Sequence, residues 1–483
     1  MDLDRSELYR ALAARDARFD GLFFVGVSST GVYCRPVCTA RTPREENCSF
    51  HPSAAAAERA GFRPCLLCRP ELAPGRSRVD VVGRLADAAV RRLEDGIEPS
   101  EVAKTLGVTD RHLRRAVVAR FGVPPVALAQ TGRLLTAKRL LTDTALPVGE
   151  VALASGFSSV RRMNTLFRER YHMSPTDLRR KGPASGDTVR CRLPFRPPYA
   201  WDAMLDFLGK RAIGGVETVA DGRYVRAVGN GWIAVGPVVG NSIAVECSSS
   251  LAASLPKLLR RVRRLFDTEA EPLVIAAQLG DLAAREPGLR LPGAWDGFEI
   301  GVRAILGQQV SVAGARTVAG RLAGAFGTLV ETPWPVRVAF PSAARMAVAD
   351  PNDIAALGII GTKARAIVAL AQAMESGLRL APGVDPEEIQ HALQSIKGIG
   401  PWTASYIAMR ALGYPDAFPA GDLMLMRALG ANTPAEAAAL VERYRPWRAY
   451  AAIHLWRSLP SSPPRGEPKK GLRLSAGDEL ESG

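Results

Sequence analysis

Four of the seven cysteines lie in two close pairs, and their spacing is that of a metal site. Cys34 and Cys38 are separated by three residues, Cys65 and Cys68 by two, and 26 residues lie between the pairs. Zinc binds four sulfur ligands in a tetrahedron, and a short spacing lets one loop supply two of them. The pattern predicts a zinc site whose metal keeps the thiolates deprotonated and nucleophilic. A closed site that only stabilises a small domain is the plainer alternative.

Arginines surround the first cysteine pair. Arg35 follows Cys34 directly, and Arg41 and Arg44 lie in the segment after Cys38. Arginine side chains commonly contact DNA phosphates, so Arg35 and Arg41 are candidate DNA contacts. Alkylation of one zinc-bound thiolate would remove a negative charge and weaken the repulsion between the site and DNA. The same sulfur could therefore serve as an acceptor and as a switch.

Two further segments repeat one another and are rich in arginine. Residues 101–125 and 150–175 each predict a helix, a glycine turn at Gly107 or Gly156, a second helix and a proline stop, as in a helix-turn-helix. Arginines three or four positions apart share a helix face, and we expect them to dock in the DNA major groove. A solvated, salt-paired face is the alternative. The candidate contacts are Arg111, Arg114, Arg161 and Arg162.

A glycine hairpin divides two apolar helices in residues 391–413. Its letters are KGIG, with Gly398 and Gly400 at positions where the backbone could approach a ligand closely. Backbone amides at the start of a helix form an anion site, because they have no partner inside the helix. The pattern predicts a helix-hairpin-helix that binds a DNA phosphate, and residues 357–367 carry a degenerate echo of it. A plain tight helix connection is the alternative.

One carboxylate follows this hairpin and lies near several aromatic residues in the sequence. Asp422 precedes an apolar helix, where aspartate is also a preferred N-cap. An apolar aromatic pocket around a single carboxylate could hold a flipped base. The candidate pocket residues are Trp402, Tyr406 and Trp456, for each of which a place in the core is the plainer interpretation.

The composition indicates a polyanion as the main partner. The chain of 483 residues has 63 Lys+Arg against 48 Asp+Glu, a formal charge of +15 and a pI near 9.9. Nucleic acid is the first candidate and a membrane surface the second, but no apolar run reaches the roughly 20 residues of a spanning helix. The acidic start is unlike a signal peptide. We expect a cytoplasmic, nucleoid-associated monomer that binds double-stranded DNA and no membrane.

The elements that must position these residues predict a multidomain α+β fold. It comprises a small four-cysteine zinc α/β module, an all-α double helix-turn-helix, an antiparallel β-α domain and an all-α helix-hairpin-helix core. Linkers are expected at 73–78 and 179–188, and the alternating residues 216–247 predict antiparallel strands. The expected segments are 1–75, 76–182, 190–270 and 271–465, followed by a disordered tail at 466–483.

The first half resembles Ada-type adaptive-response proteins. The stretches STGVYCRPVCTARTPREENCSF (29–50) and AGFRPCLLCRP (60–70) resemble their zinc module, and residues 79–180 resemble the AraC-type double helix-turn-helix. The resemblance implies that the four cysteines bind zinc and that Cys34 irreversibly accepts a methyl group from a DNA methylphosphotriester. It further implies that the methylated form binds promoters more tightly, with the transcription machinery as a possible partner.

The second half resembles 3-methyladenine DNA glycosylase II, the AlkA family. The match rests on VETVAD, LRLPGAWDGFEIGVRAILGQQVSVAGA, GIGPWTASYIAMR and RPWRAYAAIHLW. The resemblance implies a monofunctional glycosylase in which Asp422 is catalytic and the aromatic residues named above line the base pocket. It places Gln309 where a wedge residue fills the gap left by the flipped base. It also implies a monovalent cation held by the carbonyls of Ile396 and Gly398.

The sequence departs from both families at informative positions. The Pro-Cys-His-Arg motif of a second Ada methyl acceptor is missing, so we predict no O6-methylguanine repair. Gln309 replaces the leucine wedge of the best-known glycosylase, and Leu423 stands where a tyrosine can occur. Both changes concern the range of lesions more than the type of reaction.

The sequence therefore predicts a fused alkylation-response protein that combines a methyl acceptor, a transcription regulator and an alkylbase glycosylase. Fusion makes physical sense, because one bound module raises the local concentration of the others on DNA. The main alternative is a transcription factor with a zinc-thiolate sensor whose second half binds damaged DNA without catalysis. A zinc site that senses metal or oxidants is a third possibility.

Overall fold

The structure is a computed structural model, and it describes residues 4–74, 85–94, 97–179 and 187–459. The expected disordered tail at 466–483 lies outside the described residues. Most of both expected linkers also lies outside them, at 75–78 and 180–186. Among the described residues, no helix is long and apolar enough to cross a membrane.

The cysteine-rich segment folds into a four-stranded sheet with two helices. The strand order is β3-β1-β2-β4, with β2 and β4 parallel and the other pairs antiparallel. The last residue of β2 is Cys34, and Cys65 directly follows β4, so the parallel pairing brings the two cysteine pairs together. The elements are α1 Arg5–Ala13, β1 Phe24–Val27, β2 Val32–Cys34, β3 Cys48–His51, α2 Ala54–Arg59 and β4 Arg63–Pro64.

The next segment is all helical and contains the two expected helix-turn-helix units. Each second helix begins at a hydroxyl N-cap, Thr109 or Ser159, which accepts a hydrogen bond from a backbone amide. Gly107 and Gly156 have positive φ values of 66° and 80°, which the tight turns require. The helices are α3 Leu85–Glu94, α4 Pro99–Thr105, α5 Asp110–Phe121, α6 Pro125–Asp143, α7 Val148–Ala154, α8 Val160–Tyr171 and α9 Pro175–Arg179.

Helix α6 also shares a polar core with the zinc module. Thr131 donates a 2.7 Å hydrogen bond to Glu58, which also accepts one from the Tyr33 hydroxyl at 3.1 Å. Burial raises the pKa of the Glu58 carboxyl. A second acidic residue of the module, Glu71, forms a buried ion pair with Lys138 of α6. The zinc module and the helix-turn-helix region therefore pack as neighbours.

An antiparallel five-stranded sheet follows, in the order β5-β9-β8-β7-β6. Strands β6 to β9 run from residue 217 to residue 248, which matches the alternating stretch 216–247 to within one residue at each end. The edge strand β5 begins within the expected linker at 179–188 and was missed, although its alternating Val189, Cys191 and Leu193 signal it. The elements are β5 Thr188–Pro194, α10 Trp201–Arg211, β6 Glu217–Ala220, β7 Arg223–Val228, β8 Gly231–Val239, β9 Ser242–Ser248 and α11 Leu255–Leu265.

The remaining residues form a helical domain with one large apolar core that reaches from Ala203 to Leu455. The core is helical as expected, and it also carries two short strands that pair through Thr328–Ala339 and Leu329–Val338. The elements are α12 Pro272–Leu279, α13 Asp281–Ala284, α14 Gly297–Leu306, α15 Val312–Phe326, β10 Thr328–Leu329, β11 Val338–Ala339, α16 Ala343–Ala347, α17 Pro351–Ala355, α18 Gly361–Glu375, α19 Pro386–Gln394, α20 Pro401–Ile407, α21 Leu423–Leu429, α22 Pro434–Leu440 and α23 Arg448–Ser458.

Candidate functional site

The four paired cysteines form a cluster that fits a zinc ion. The Sγ atoms of Cys34, Cys38, Cys65 and Cys68 all lie within 4.8 Å of one another. Zn–S bonds of about 2.3 Å in a tetrahedron place sulfur atoms roughly 3.8 Å apart, so a small contraction completes the site. The backbone amide of Arg35 donates to the Cys68 sulfur at 3.4 Å. Such an amide stabilises a negatively charged thiolate.

The four cysteines of the cluster are all buried at the site. Taken as whole residues, Cys34 is 8% exposed, Cys38 and Cys65 are also buried, and Cys68 is half-buried. The sequence singles out Cys34 through family resemblance alone. Because all four cysteines are buried at the cluster, the exposure of the sulfurs does not select one of them as the acceptor.

The expectation that Arg35 contacts DNA is wrong in this structure. Its side chain is only 8% exposed, and its Nε donates to Asp20 at 2.8 Å within a buried ion pair. A second nitrogen donates to the backbone carbonyl of Cys68 at 3.1 Å. Asp20 lies 15 positions away in the sequence, so local spacing could not reveal it. Arg35 therefore braces the metal loops, while Arg41 is exposed as expected.

The four candidate arginines of the helix-turn-helix units lie on the protein surface. All four candidates are exposed on the second helices of the two units. Within the described part of the chain, none of them has an ion-pair partner within about 4 Å, which argues against a salt-paired face. The residues are Arg111 and Arg114 on α5, and Arg161 and Arg162 on α8.

Asp422 is both an N-cap and the centre of an aromatic site. Its Oδ1 accepts hydrogen bonds from the amides of Met424 and Leu425, both at 3.0 Å, at the start of α21. The indole of Trp456 donates to the same oxygen at 3.0 Å, and that of Trp402 donates to Oδ2 at 3.2 Å. Four donors therefore converge on one half-buried carboxylate. The N-cap interpretation is correct but does not account for the two indoles.

Tyr406 completes the aromatic wall. Its ring stacks on Trp402 with centroids 5.5 Å apart and planes at 13°, and it lies 6.4 Å from the ring of Trp456. Its hydroxyl accepts a 2.6 Å hydrogen bond from Arg410. Burial raises the pKa of Tyr406, but Arg410 and two further arginines outweigh burial and hold the pKa below its usual value. Another tryptophan of this domain, Trp447, packs in the core against Tyr450.

The hairpin turns at two glycines directly before α20. Gly398 has φ +97°, and an added Cβ would lie 3.1 Å from the Cβ of Ala366, so glycine is required there. Gly400 has a negative φ, and a Cβ added to it would have no other atom within 4 Å. Gly400 is the N-cap of α20, and the first amides of a helix have no intrahelical acceptor.

Two polar residues near the hairpin were missed in the sequence. Gln308 donates hydrogen bonds to the Gly398 carbonyl and to the Thr403 hydroxyl, and Lys363 donates to the carbonyls of Leu306 and Gln308. No pattern in the sequence signals these contacts, because each joins segments at least 55 positions apart. Gln309 is exposed beside them with φ +56°.

Family models match four successive parts of the chain. Residues 7–71 match the metal binding domain of Ada, and residues 102–181 match a helix-turn-helix domain. Residues 190–296 match the AlkA N-terminal domain, and residues 302–439 match the HhH-GPD superfamily of base excision DNA repair proteins.

A relative from Mycobacterium tuberculosis shares this whole arrangement. It is described as a probable bifunctional transcriptional activator/DNA repair enzyme AlkA, and is 41% identical over 94% of this chain and 97% of its own length. The chain belongs to this bifunctional AlkA family.

Two other relatives of this AlkA-family chain correspond to its two parts. The DNA-3-methyladenine glycosylase 2 of Escherichia coli is 39% identical over 55% of this chain and 95% of its own length. The bifunctional transcriptional activator/DNA repair enzyme AdaA of Bacillus subtilis is 29% identical over 36% of this chain and 82% of its own length. The bifunctional family thus joins in one chain what these relatives carry separately.

Proposed function

We propose that this protein repairs alkylated DNA and regulates the response to alkylation. Its second half would excise alkylated bases such as 3-methyladenine by hydrolysis of the N-glycosidic bond. The observation that carries the proposal is the Asp422 carboxylate, held by two indole donors beside a stacked aromatic pair on a helix-hairpin-helix scaffold. An aromatic pocket around one carboxylate suits a flipped base.

The chemistry follows from the charges of the reacting groups. Alkylation at a ring nitrogen makes the base a cationic leaving group, so the base needs little help from an acid. As the bond to the base breaks, positive charge develops on the sugar, and the Asp422 carboxylate stabilises it and assists attack by water. The indoles of Trp402 and Trp456 orient that carboxylate. We propose a monofunctional reaction without strand cleavage.

The decisive experiment is base release from alkylated DNA by Asp422→Asn. Asparagine is also a good N-cap, so α21 should remain folded while the charge is lost. We expect release to fall by at least about a hundredfold with DNA binding retained. Asp385→Asn is the matched control, because Asp385 caps α19 through two amides in the same way but has no indole donors. Unchanged release by the Asp422 variant would favour the alternative, a damage-binding regulator without catalysis.

We propose that Cys34 accepts the methyl group from a DNA methylphosphotriester. The zinc-bound thiolate would attack the methyl carbon, forming an S–C bond as the C–O bond breaks and leaves a phosphodiester anion. Zinc supplies a deprotonated sulfur at neutral pH. Cys34, Cys38, Cys65 and Cys68 would hold the metal, and the loss of a thiolate charge would strengthen promoter binding.

The acceptor assignment is tested by mapping the adduct. After incubation with methylated DNA, peptide mass spectrometry should find one methyl group on Cys34. An adduct on Cys38, Cys65 or Cys68 would overturn the choice of sulfur, and oxidation alone would favour a sensor.

We also propose a monovalent cation at the hairpin, bound by the carbonyls of Ile396 and Gly398. The Gly398 carbonyl already accepts a hydrogen bond from Gln308, which leaves it one lone pair for a cation. Base release that is equal in potassium and in a bulky organic cation at matched ionic strength would count against this site.

We propose double-stranded DNA, both alkylated and promoter, as the partner of a monomeric, cytoplasmic protein associated with the nucleoid. Exposed Arg41 and the helix-turn-helix arginines support contacts with DNA, with Gln309, Gly398 and Gly400 contacting DNA in the glycosylase half. Contacts with the transcription machinery follow from the regulatory role. Sedimentation with and without promoter DNA would test the monomer.

A further inference from the structure

The loop between α14 and α15, residues 307–311, is attached to the glycine hairpin by one side chain. We name it the wedge loop. The Nε2 of Gln308 donates a 2.9 Å hydrogen bond to the Gly398 carbonyl and another of 2.9 Å to the Thr403 hydroxyl. Thr403 lies in the first turn of α20, so Gln308 ties the wedge loop to the elements that would bind phosphate.

A second side chain fixes the same loop from the other side. The Nζ of Lys363 donates to the Gln308 carbonyl at 2.7 Å and to the Leu306 carbonyl at 3.0 Å. Leu306 is the last residue of α14, where an ammonium group also stabilises the helix dipole. Lys363 lies near the start of α18, within residues 357–367, whose sequence resembles the glycine hairpin. The wedge loop is therefore held by both hairpin segments.

Beyond these contacts the loop is exposed, beginning at Gln309. Gln309 has φ +56° and is exposed, and the side chain of Val310 is 45% exposed. Ser311 then caps α15 by accepting a hydrogen bond from the Gly314 amide at 3.2 Å. A non-glycine residue in the left-handed region persists only where its surroundings hold it, and the fixed neighbours of Gln309 do so.

We propose that Gln308 and Lys363 are positioning residues that set the wedge loop for base flipping. This inference rests on the proposed glycosylase function. Extruding a base costs a few kcal/mol in lost stacking and pairing, which a group inserted in the gap partly restores. Because the anchors order the backbone of the loop before DNA binds, Gln309 and Val310 enter the gap at a smaller entropic cost. Phosphate binding at the hairpin then brings the tip to the gap.

The test compares single-turnover base release from duplex and from single-stranded DNA that carry the same alkylated base. Gln308→Ala and Lys363→Met should each slow release from the duplex about tenfold, a change that corresponds to roughly one hydrogen bond. Release from the single strand should be unchanged, because a single strand has no paired stack to refill. Fluorescence of 2-aminopurine next to the lesion, which rises on flipping, should be reduced in both variants.

The matched control is Gln372→Ala. Gln372 also donates from its helix to a backbone carbonyl, that of Ala347 at 3.1 Å, but it lies away from the wedge loop. Equal losses on duplex and single strand would show a general structural defect and overturn the inference, as would an unchanged duplex rate. If the wild type released no base from either substrate, the proposed function would fail, while the flipping signal would still test the loop.

Discussion

At the scale of single residues, Asp422 shows how one side chain serves a fold and a site together. One oxygen caps α21 and accepts from Trp456, while the other accepts from Trp402. The cap fixes the carboxylate at a helix start, and the indoles fix its orientation toward the stacked rings. A carboxylate held this way needs little reorganisation as charge develops on a substrate.

Replacing Trp456 with phenylalanine tests this orientation. The Trp456→Phe variant keeps an aromatic ring but loses the donor to Asp422, so we expect base release to fall roughly tenfold, as for one hydrogen bond to a charged group. The assay is single-turnover base release with the thermal midpoint as a check of folding. Trp334→Phe serves as the control, since the buried indole nitrogen of Trp334 has no hydrogen-bond partner in the described structure. Equal losses in both variants would contradict the orienting role.

His454 predicts how the glycosylase core responds to acid. Burial and the nearby Arg457 lower the pKa of this histidine on α23 from 6.5 to about 4. The unfolded chain therefore binds more protons than the folded one between these values, and stability falls as pH drops from 6.5 toward 4. The loss is at most about 3 kcal/mol.

The measurement for His454 is the denaturant midpoint at about pH 7 and at about pH 5, on either side of the ordinary histidine pKa. His454→Gln should show a smaller drop between the two values than the wild type, because it removes the titrating group. His391→Gln, at an exposed position on α19, should leave the drop unchanged. If the His454 variant loses as much stability between the two pH values as the wild type does, His454 is not the group responsible for the loss.

At the scale of elements, the two helix-turn-helix units present exposed arginines on α5 and α8. Arg111→Ala and Arg161→Ala should each weaken promoter binding and reduce the salt slope by about one if the side chain contacts a phosphate. Stability should change by less than about 0.5 kcal/mol, because these side chains are exposed and without ion-pair partners among the described residues. Binding titrations at several salt concentrations give both quantities.

The control for these helices is an exposed arginine elsewhere. Arg190→Ala removes a charge from the edge strand β5, where Arg190 pairs with Glu246 at 3.0 Å. Its promoter affinity should match the wild type. A salt slope reduced as much by Arg190→Ala as by the helix variants would point to a general charge effect instead of a DNA contact.

At the scale of the whole molecule, the zinc module and α6 share buried polar contacts. Glu71 is 1% exposed at its side chain and pairs with Lys138, which is 2% exposed, and also with Arg69. Burial by itself would raise the pKa of Glu71. Lys138 and Arg69 outweigh burial and hold that pKa below its usual value. The regulatory half is therefore built as a joint unit of module and helix.

Lys138→Met should destabilise this joint unit by about 3 kcal/mol, since it leaves a buried carboxylate with Arg69 as its remaining partner. Proteolysis of the native chain should then cleave the first half sooner and leave base release nearly unchanged. Lys210→Met removes an exposed partner of Asp206 on α10 and should have little effect. Equal protease sensitivity of the Lys138 variant and the wild type would contradict this account.

Several features could be predicted from the sequence by itself. The comparisons confirm the family, and the structure confirms the multidomain fold class, because cysteine spacing, helix duplication and strand alternation are local patterns with a direct physical meaning. The structure also groups the four paired cysteines and places Trp402 and Trp456 against Asp422, as the sequence predicted. The segment bounds and the roles of the site residues remain predictions.

Only the tertiary structure decided which partner each polar side chain meets. Arg35 turns inward to Asp20, Gln308 reaches Gly398, and Lys363 reaches Leu306. Each of these contacts joins positions between 15 and 90 residues apart. Local spacing constrains neighbours within a few turns of a helix or along a strand, whereas such distant pairs are set by how the elements pack against one another.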